Sequence, residues 1–126
     1  MSTKQIILLI TSRESQIKAF AEALRADPGV ELITIDSAEA SVEAAVRLVP
    51  VLAIVDQEVG GVPGLDIAKR LLEVNAFIYT AALTDMDEAL FHEQSEGLGI
   101  LSEVALLPGE DDAADLLAKL RQMAPV

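Results

Sequence analysis

Short apolar runs alternate with longer amphipathic segments along the 126 residues of the chain. The short runs are rich in Val, Ile and Leu, as strands buried on both faces of a sheet are. The longer segments repeat apolar residues at the spacing of helix turns, and Pro or Gly often separates the two kinds of segment. The pattern predicts five strands, each followed by a helix, at residues 5–11, 30–35, 51–55, 77–83 and 100–107.

Five βα units in succession predict a parallel sheet with helices on both of its faces. We expect the flavodoxin-like α/β fold, a three-layer sandwich of five helices and a five-stranded parallel sheet in the order 2-1-3-4-5. Neither a linker nor a low-complexity tract divides the chain, so we expect a single domain over residues 1–126.

The stretch from Val51 to Leu72 carries the strongest candidate for chemistry. An apolar strand ends in one carboxylate, Asp56, and a loop with three glycines leads from it into the next helix. Open α/β sheets bind their ligands at the carboxyl ends of the strands. Asp56 is therefore predicted to lie in the functional crevice.

The composition of the chain limits which binding partners and which cellular compartment we expect for the protein. The formal net charge of −12 disfavours nucleic acids and anionic membranes, since phosphate binding requires a basic surface. The chain has no Cys, which excludes disulfides and thiolate zinc sites. It has neither an apolar run of the roughly 20 residues that cross a membrane nor the pattern of a signal peptide. We therefore expect a soluble cytoplasmic protein.

The stretch around Asp56 resembles the receiver domain of bacterial two-component response regulators. Asp56 is followed eight residues later by Gly64, Leu65 and Asp66, similar to the phosphoacceptor aspartate of a receiver and the start of its third helix. The resemblance extends over all five βα units, and it implies that Asp56 corresponds to a residue that accepts a phosphoryl group from a histidine kinase. In receivers this transfer requires Mg²⁺, a lysine and a hydroxyl residue, because cations must neutralise the charge that develops between two anions.

The positions that help to hold the metal ion in receivers differ in this sequence. Where the resemblance implies a pair of acidic residues after the first strand, the chain has Ser12 and Arg13. Glu14 and Glu58 are left as carboxylates that could join Asp56 in an unconventional Mg²⁺ site, and Glu14 directly follows the positions of the missing acidic pair. We expect no metal ion and no other cofactor.

The positions that contact the phosphoryl group in receivers also differ. The lysine after the fifth strand corresponds to Leu107. The hydroxyl residue at the end of the fourth strand corresponds to Ala81, or to Thr80 or Thr84 with a shift in register. Without the lysine and the acidic pair, the resemblance implies a receiver whose chemistry has been lost or replaced.

Arg13 is a candidate to replace the metal ion of a receiver. A guanidinium at the end of the first strand could form a bidentate pair with Asp56 and occupy the space of the metal ion. The alternative is that Arg13 points to solvent. The segment from Thr11 to Glu14 also fits a capping box, in which the Thr11 side chain caps the following helix.

A partner surface is predicted around the fourth helix. Leu90 and Phe91 are adjacent, so only one of them can face the sheet well and the other is expected at the surface. In receivers the face of the fourth helix, fifth strand and fifth helix makes dimer or output contacts, and Val104 has the position of an aromatic residue of that strand. We expect Leu90, Phe91 and Val104 to mark a surface for a histidine kinase, an output protein or a second copy of the chain.

The sequence thus favours a stand-alone, non-enzymatic signalling domain that acts through protein–protein contacts without normal phosphorylation of Asp56. Two alternatives stay open. One is a conventional response regulator that is phosphorylated at Asp56, and the other is a flavodoxin-like protein that binds a small molecule or nucleotide in the same crevice. The single histidine, His92, is expected on a helix surface.

Overall fold

Residues 4–123 are described by the computed structural model and contain seven strands and five α-helices. The strands are β1 (Gln5–Ile10), β2 (Val30–Ile35), β3 (Leu52–Val55), β4 (Glu58–Val59), β5 (Val62–Pro63), β6 (Tyr79–Thr84) and β7 (Ile100–Ala105). The helices are α1 (Lys18–Ala26), which follows a 3₁₀ turn at Glu14–Ile17, α2 (Ala38–Leu48), α3 (Gly64–Val74), α4 (Glu88–Ser95) and α5 (Glu110–Met123). Within the described range, no helix is both long and apolar enough to cross a membrane.

Five parallel strands form one sheet in the order β2-β1-β3-β6-β7. Numbered among themselves, these strands follow the order 2-1-3-4-5, so the predicted flavodoxin-like topology is confirmed. The central strand β3 is buried and apolar throughout, as a strand covered by helices on both faces must be. Val55 at its end pairs with Ile10 of β1 and with Ala82 of β6.

Helices cover both faces of the sheet. On one face, Phe20 of α1 and Leu116 of α5 belong to a common buried cluster with the strands. On the other face, Ala45 of α2, Ile67 of α3 and Phe91 of α4 form the second cluster. The two clusters divide the core into two apolar layers with the sheet between them.

The environment of α4 corrects part of the predicted partner surface. Phe91 is 4% exposed and Val104 is 7% exposed, so both belong to the core, whereas Leu90 is 42% exposed. Only one of the two adjacent residues of α4 can face the sheet, and burial of the larger aromatic ring removes more apolar area from water. Of the three residues predicted for the surface, Leu90 alone lies there.

The fourth strand begins later than its apolar sequence predicts. β6 starts at Tyr79, and Phe77 before it is 91% exposed. The side chain of Asn75 accepts a hydrogen bond from the Phe77 backbone N–H at 2.9 Å. A turn made by Asn therefore takes the segment that apolar character alone would assign to the strand.

The loop after β3 contains a short antiparallel hairpin, which the sequence analysis did not predict. β4 and β5 pair through Val59 and Val62. The two residues between them, Gly60 and Gly61, have φ values of 57° and 83°. Hairpins of this length favour turns with positive φ at both central positions, and Gly adopts them without steric cost. The sequence from Val59 to Val62, Val-Gly-Gly-Val, is the feature that indicates this hairpin.

An ion pair connects the turn after α1 to the last helix. Asp27 Oδ1 accepts a hydrogen bond from the Gly29 backbone N–H at 2.8 Å and another from Arg121 Nη2 at 2.8 Å. The Gly29 hydrogen bond, and next to it the Arg121 guanidinium, lower the pKa of the Asp27 carboxyl.

Candidate functional site

The site lies at the carboxyl edge of the sheet, where β1 and β3 end side by side. The backbone N–H of Asp56 donates to the Ile10 carbonyl at 2.9 Å, which continues the pairing of the two strands by one residue. Thr11 follows β1 in the same way and donates its backbone N–H to the Ile35 carbonyl at 2.9 Å. These bonds fix the backbone of Thr11 and of Asp56 at neighbouring places on the edge.

The carboxylate of Asp56 is buried and accepts four hydrogen bonds. Arg13 donates from Nε to Oδ2 at 2.7 Å and from Nη2 to Oδ1 at 2.8 Å. The Thr11 hydroxyl donates to Oδ2 at 2.6 Å, and the Gln57 backbone N–H donates to Oδ1 at 2.8 Å. Asp56 is 1% exposed, so this environment supplies the partners that water otherwise would.

Arg13 therefore pairs with Asp56, which is the arrangement hypothesised from the sequence, and does not point to solvent. The geometry is the bidentate fork that guanidinium and carboxylate groups favour. Arg13 Nη2 also donates to the backbone carbonyl of Leu106 at 2.6 Å. One guanidinium thus joins the segments that follow β1, β3 and β7.

Thr11 has a different role from the one predicted. The 3₁₀ turn at Glu14–Ile17 has no side-chain cap, so the capping box is wrong. The Thr11 hydroxyl instead donates to Asp56 and accepts from the Arg13 backbone N–H at 3.0 Å. Thr11 is 1% exposed, and a buried hydroxyl needs such partners.

Four of the predicted residues near the site do not contact Asp56. Ser12 and Glu58 are exposed, and Leu107 is 72% exposed. The carboxylate of Glu14 pairs with Arg25 at 2.6 Å. Nearness to Asp56 was predicted for these residues, but three of the side chains face solvent and the fourth is held by another partner.

Thr84 is the hydroxyl residue at the end of the fourth strand of the main sheet. Thr80 pairs with Ala53 and Ala81 pairs with Ile54, so both lie inside the sheet and below the level of Asp56. Of the three candidates, Thr84 is the one that the structure places at the carboxyl edge of the sheet. Thr84 is the last residue of β6.

Gln57 connects the loop after β3 to the loop after β6, a role that was not predicted from the sequence. Its side-chain Oε1 accepts from the Thr84 hydroxyl at 3.1 Å and from the Asp85 backbone N–H at 3.0 Å. The Thr84 hydroxyl in turn accepts from the Met86 backbone N–H at 3.0 Å. The sequence does not indicate this contact, because a glutamine in a glycine-rich loop is expected to face solvent.

Gly64 is required where α3 approaches the end of β3. A Cβ at this position would overlap the backbone carbonyl of Asp56. The Gly64 backbone N–H donates to the Gln57 carbonyl at 2.8 Å. Glycine allows this close approach, so the Asp56-to-Gly64 spacing noted in the sequence has a steric cause.

A cavity of about 220 Å³ opens beside Asp56. It lies between the start of α3, the ends of β3 and β6, and α4. Most of its lining is apolar, with a few carboxyl, amide and hydroxyl groups, and the lining residues are Asp56, Gln57, Pro63, Gly64, Leu65, Asp66, Ala82, Leu83, Thr84, Met86, Phe91 and Gln94.

One group of side chains elsewhere has the composition of a metal site. Among residues 4–123, Glu88 and His92 of α4 and Glu103 of β7 bring their ligand atoms within 4.8 Å of one another. All three are exposed, and His92 therefore has the surface position that was expected. Exposed carboxylates beside a histidine are ordinary on an acidic surface and do not by themselves define a site.

Several solved structures share this architecture. The response regulator domain of Thermotoga maritima CheB is similar with a TM-score of 0.78 and 16% identity, and the match covers 98% of each chain. A LuxR-family two-component response regulator from Aurantimonas sp. SI85-9A1 gives a TM-score of 0.80 and 12% identity over 95% of this chain and 87% of that one. The signal receiver domain of a modulated diguanylate cyclase from Desulfovibrio desulfuricans G20 gives a TM-score of 0.74 and 19% identity over 96% of this chain and 93% of that one.

The chain has the receiver fold. At identities of 12–19%, the likeness concerns the fold. The sequence matches no protein-family model and no curated protein sequence.

The receiver fold implies a Mg²⁺ ion at this edge of the sheet, and the residues present do not fit one. Mg²⁺ requires hard oxygen ligands in octahedral geometry, usually from one or two carboxylates and several waters. Both oxygens of Asp56 are already bound by the Arg13 guanidinium, and Glu14 is paired with Arg25. A second cation beside Arg13 would meet like charge in a largely buried place.

Proposed function

We propose that this chain is a receiver-fold signalling domain that acts through protein–protein contacts and does not use Mg²⁺-dependent phosphorylation of Asp56. The observation that carries the proposal is the bidentate ion pair between Arg13 and the buried Asp56 carboxylate, at 2.7 and 2.8 Å. The pair gives the site a permanent cation in place of one that binds and leaves.

The chemistry of phosphoryl transfer supports the proposal. A carboxylate that attacks phosphorus must present a free oxygen in line with the leaving group, and cations must neutralise the three phosphoryl oxygens. Here each oxygen of Asp56 accepts two hydrogen bonds. Leu107, at the position of the receiver lysine, brings no cation and is exposed.

The exposed face of α4, β7 and α5 is the surface that we assign to a partner. Leu90 lies on α4, and a groove of about 420 Å³ runs between α4 and β7. Its lining mixes apolar and charged groups, among them Leu101, Glu96 and Lys119. Such a mixture suits a transient contact with a signalling protein or with a second copy of the chain.

Phosphate transfer from acetyl phosphate tests the proposal. The chain is incubated with acetyl phosphate, with and without Mg²⁺, and its intact mass is followed. We expect no Mg²⁺-dependent gain of one phosphate, because Arg13 blocks both oxygens of Asp56. Thermal unfolding in beryllofluoride with Mg²⁺ is a second measurement, and we expect the midpoint to stay unchanged.

The Asp56→Asn variant is the matched control for this test. A phosphate gain that requires Mg²⁺ in the natural chain and disappears in Asp56→Asn would show a conventional response regulator and overturn the proposal. A gain that persists in Asp56→Asn arises at another residue and leaves the role proposed for Asp56 intact.

A further inference from the structure

We propose that the cavity beside Asp56 binds a small organic amine, a ring-sized apolar body that carries an ammonium group. The inference rests on the proposed function, in which Arg13 holds Asp56 and a signal must reach the domain by a route other than phosphorylation. The cavity lies at the carboxyl edge of the sheet, which is the place where open α/β sheets bind ligands.

The size and the apolar lining of the cavity define the body of the ligand. Six lining residues are apolar, and they are Pro63, Leu65, Ala82, Leu83, Met86 and Phe91. The volume of about 220 Å³ corresponds to about seven water molecules at roughly 30 Å³ each. A single aromatic ring with a short arm is a ligand of this size. Mostly apolar concave sites with a few polar groups are typical of small-molecule binding.

The polar groups of the cavity favour a cation over an anion. Within the described chain, the lining contains no Lys, Arg or His. Asp56 is neutralised by Arg13, but Asp66 at the start of α3 is exposed and takes part in none of the ion pairs found among residues 4–123. The net charge of −12 adds a field that repels carboxylates and phosphates.

Among the charged groups of the lining, Asp66 is the acceptor that no ion pair described among residues 4–123 occupies. Gln57 Oε1 already accepts two hydrogen bonds, and the Gly64 backbone N–H, the first of α3, donates to the Gln57 carbonyl. The other side-chain amide of the lining, Gln94, is neutral. An ammonium group offers three donors to the Asp66 carboxylate.

The cavity lies between two helices, and its occupation would add a contact to both of them. Leu65 and Asp66 belong to α3, whereas Phe91 and Gln94 belong to α4. Leu90, the exposed apolar residue of the partner surface, is adjacent to Phe91. An amine seated between α3 and α4 would therefore bias the position of α4, and through it the partner surface.

Three probes of the same ring and similar arm length test the inference: 2-phenylethylamine, 2-phenylethanol and phenylacetate. Binding to the full chain is measured by titration in two-dimensional NMR, which also locates the site. We expect the backbone amides of Leu65, Ala82 and Met86 to shift. The amine should bind about two- to fivefold more tightly than the alcohol, the range that an exposed ion pair supplies, and phenylacetate should bind most weakly.

Two variants identify the charge that selects the amine. Asp66→Asn should abolish the preference for the amine over the alcohol, because it removes the charge and keeps a side chain of similar size. Asp111→Asn is the matched control, since Asp111 is exposed in the first turn of α5 and outside the cavity lining. It should keep the preference.

Three results would overturn the inference: no amide shift at the cavity with any probe, phenylacetate binding as tightly as the amine, or an amine preference that survives in Asp66→Asn. These failures are independent of the proposed function, because the mass measurement with acetyl phosphate reports on Asp56 whether or not the cavity is occupied.

Discussion

The charge of Asp56 is balanced by Arg13, a side chain of the same protein. Arg13 is 18% exposed and Asp56 is 2% exposed at the side-chain level. An ion pair in such a place is costly to form from hydrated groups, yet loss of one partner leaves the other buried and unmatched. We therefore expect Arg13 to contribute to the stability of the fold.

Arg13→Met tests this role at the scale of one residue. We expect the free energy of unfolding to fall by about 3 kcal/mol, because the Asp56 carboxylate stays buried with only Thr11 and the Gln57 backbone as donors. Urea unfolding followed by circular dichroism measures the loss.

The matched control for that variant is Arg25→Met. Arg25 pairs with Glu14 at 2.6 Å, but its side chain is 44% exposed. Since exposed ion pairs contribute little to stability, we expect the free energy of unfolding to fall by less than about 1 kcal/mol. Equal losses for the two variants would contradict the view that burial makes the Arg13 pair important.

The residues of the site differ in how far their sequence reveals them. Arg13 and Asp56 could be predicted, because an arginine where receivers carry acid has an obvious partner in a lone buried carboxylate. Thr11 could not, since its hydroxyl fits a helix cap equally well in sequence. Gln57 gave no signal, because its contact with Thr84 depends on the relative height of two loops that are far apart in the chain.

At the scale of elements, the hairpin formed by β4 and β5 determines how the chain passes from Asp56 to α3. Its turn needs positive φ at Gly60 and at Gly61. Left-handed backbone costs ordinary residues about 1–2 kcal/mol, whereas Asn tolerates it better. The turn is therefore the part of the loop most sensitive to substitution.

Two substitutions at Gly60 separate backbone strain from side-chain bulk. Gly60→Val should lower the free energy of unfolding by about 1–2 kcal/mol, because a β-branched residue is strained at positive φ. Gly60→Asn should be nearly neutral, since Asn-Gly is favoured in such turns. A Cβ at Gly60 meets no atom within 4 Å, so a steric clash cannot account for the difference. Thermal unfolding of both variants checks this, and equal midpoints would contradict it.

The predicted elements are right in type and less accurate at their ends. All five strands of the main sheet were predicted, because apolar runs bounded by polar caps are strong signals. The start of β6 was misplaced by Phe77, which is apolar but belongs to a turn that Asn75 stabilises. The short hairpin was missed, since two-residue strands have no periodicity to detect.

At the scale of the whole molecule, the Asp27–Arg121 pair is a contact between distant parts of the chain. The pKa of Asp27 is lowered in the folded state, so the folded chain holds this carboxylate ionised at pH values where the unfolded chain begins to protonate it. The contribution to stability is therefore present above about pH 4, the ordinary value for an aspartyl group, and is lost as the pH falls further.

Asp27→Asn measures that contribution. At pH 6 the variant should be less stable than the natural chain by about 0.5 kcal/mol, a modest value because Arg121 is 50% exposed. The difference should shrink as the pH is lowered from about 4 towards 2. Urea unfolding across this range gives the comparison, and Arg121→Gln should weaken the same pH dependence. A difference that is constant with pH would contradict the role of the pair.

The whole-molecule topology was the most predictable feature of this protein. Five βα units permit few parallel arrangements once crossovers are right-handed, and the observed order is the one expected. The surface around α4 was less predictable. Which of Leu90 and Phe91 is buried depends on the rotation of α4 about its axis, and an eight-residue helix has too few turns to fix that rotation from sequence.

The bond from Arg13 to the Leu106 carbonyl means that one side chain holds three segments that are far apart in sequence. Arg13 binds Asp56 after β3 and Leu106 after β7, so these segments can separate only if several hydrogen bonds break together. At the opposite edge of the sheet, the Asp27–Arg121 pair and the bond from the Tyr79 hydroxyl to the Met123 carbonyl involve α5 instead. The carboxyl edge is therefore held by direct bonds between the segments that leave the strands, whereas the amino edge is held through the last helix.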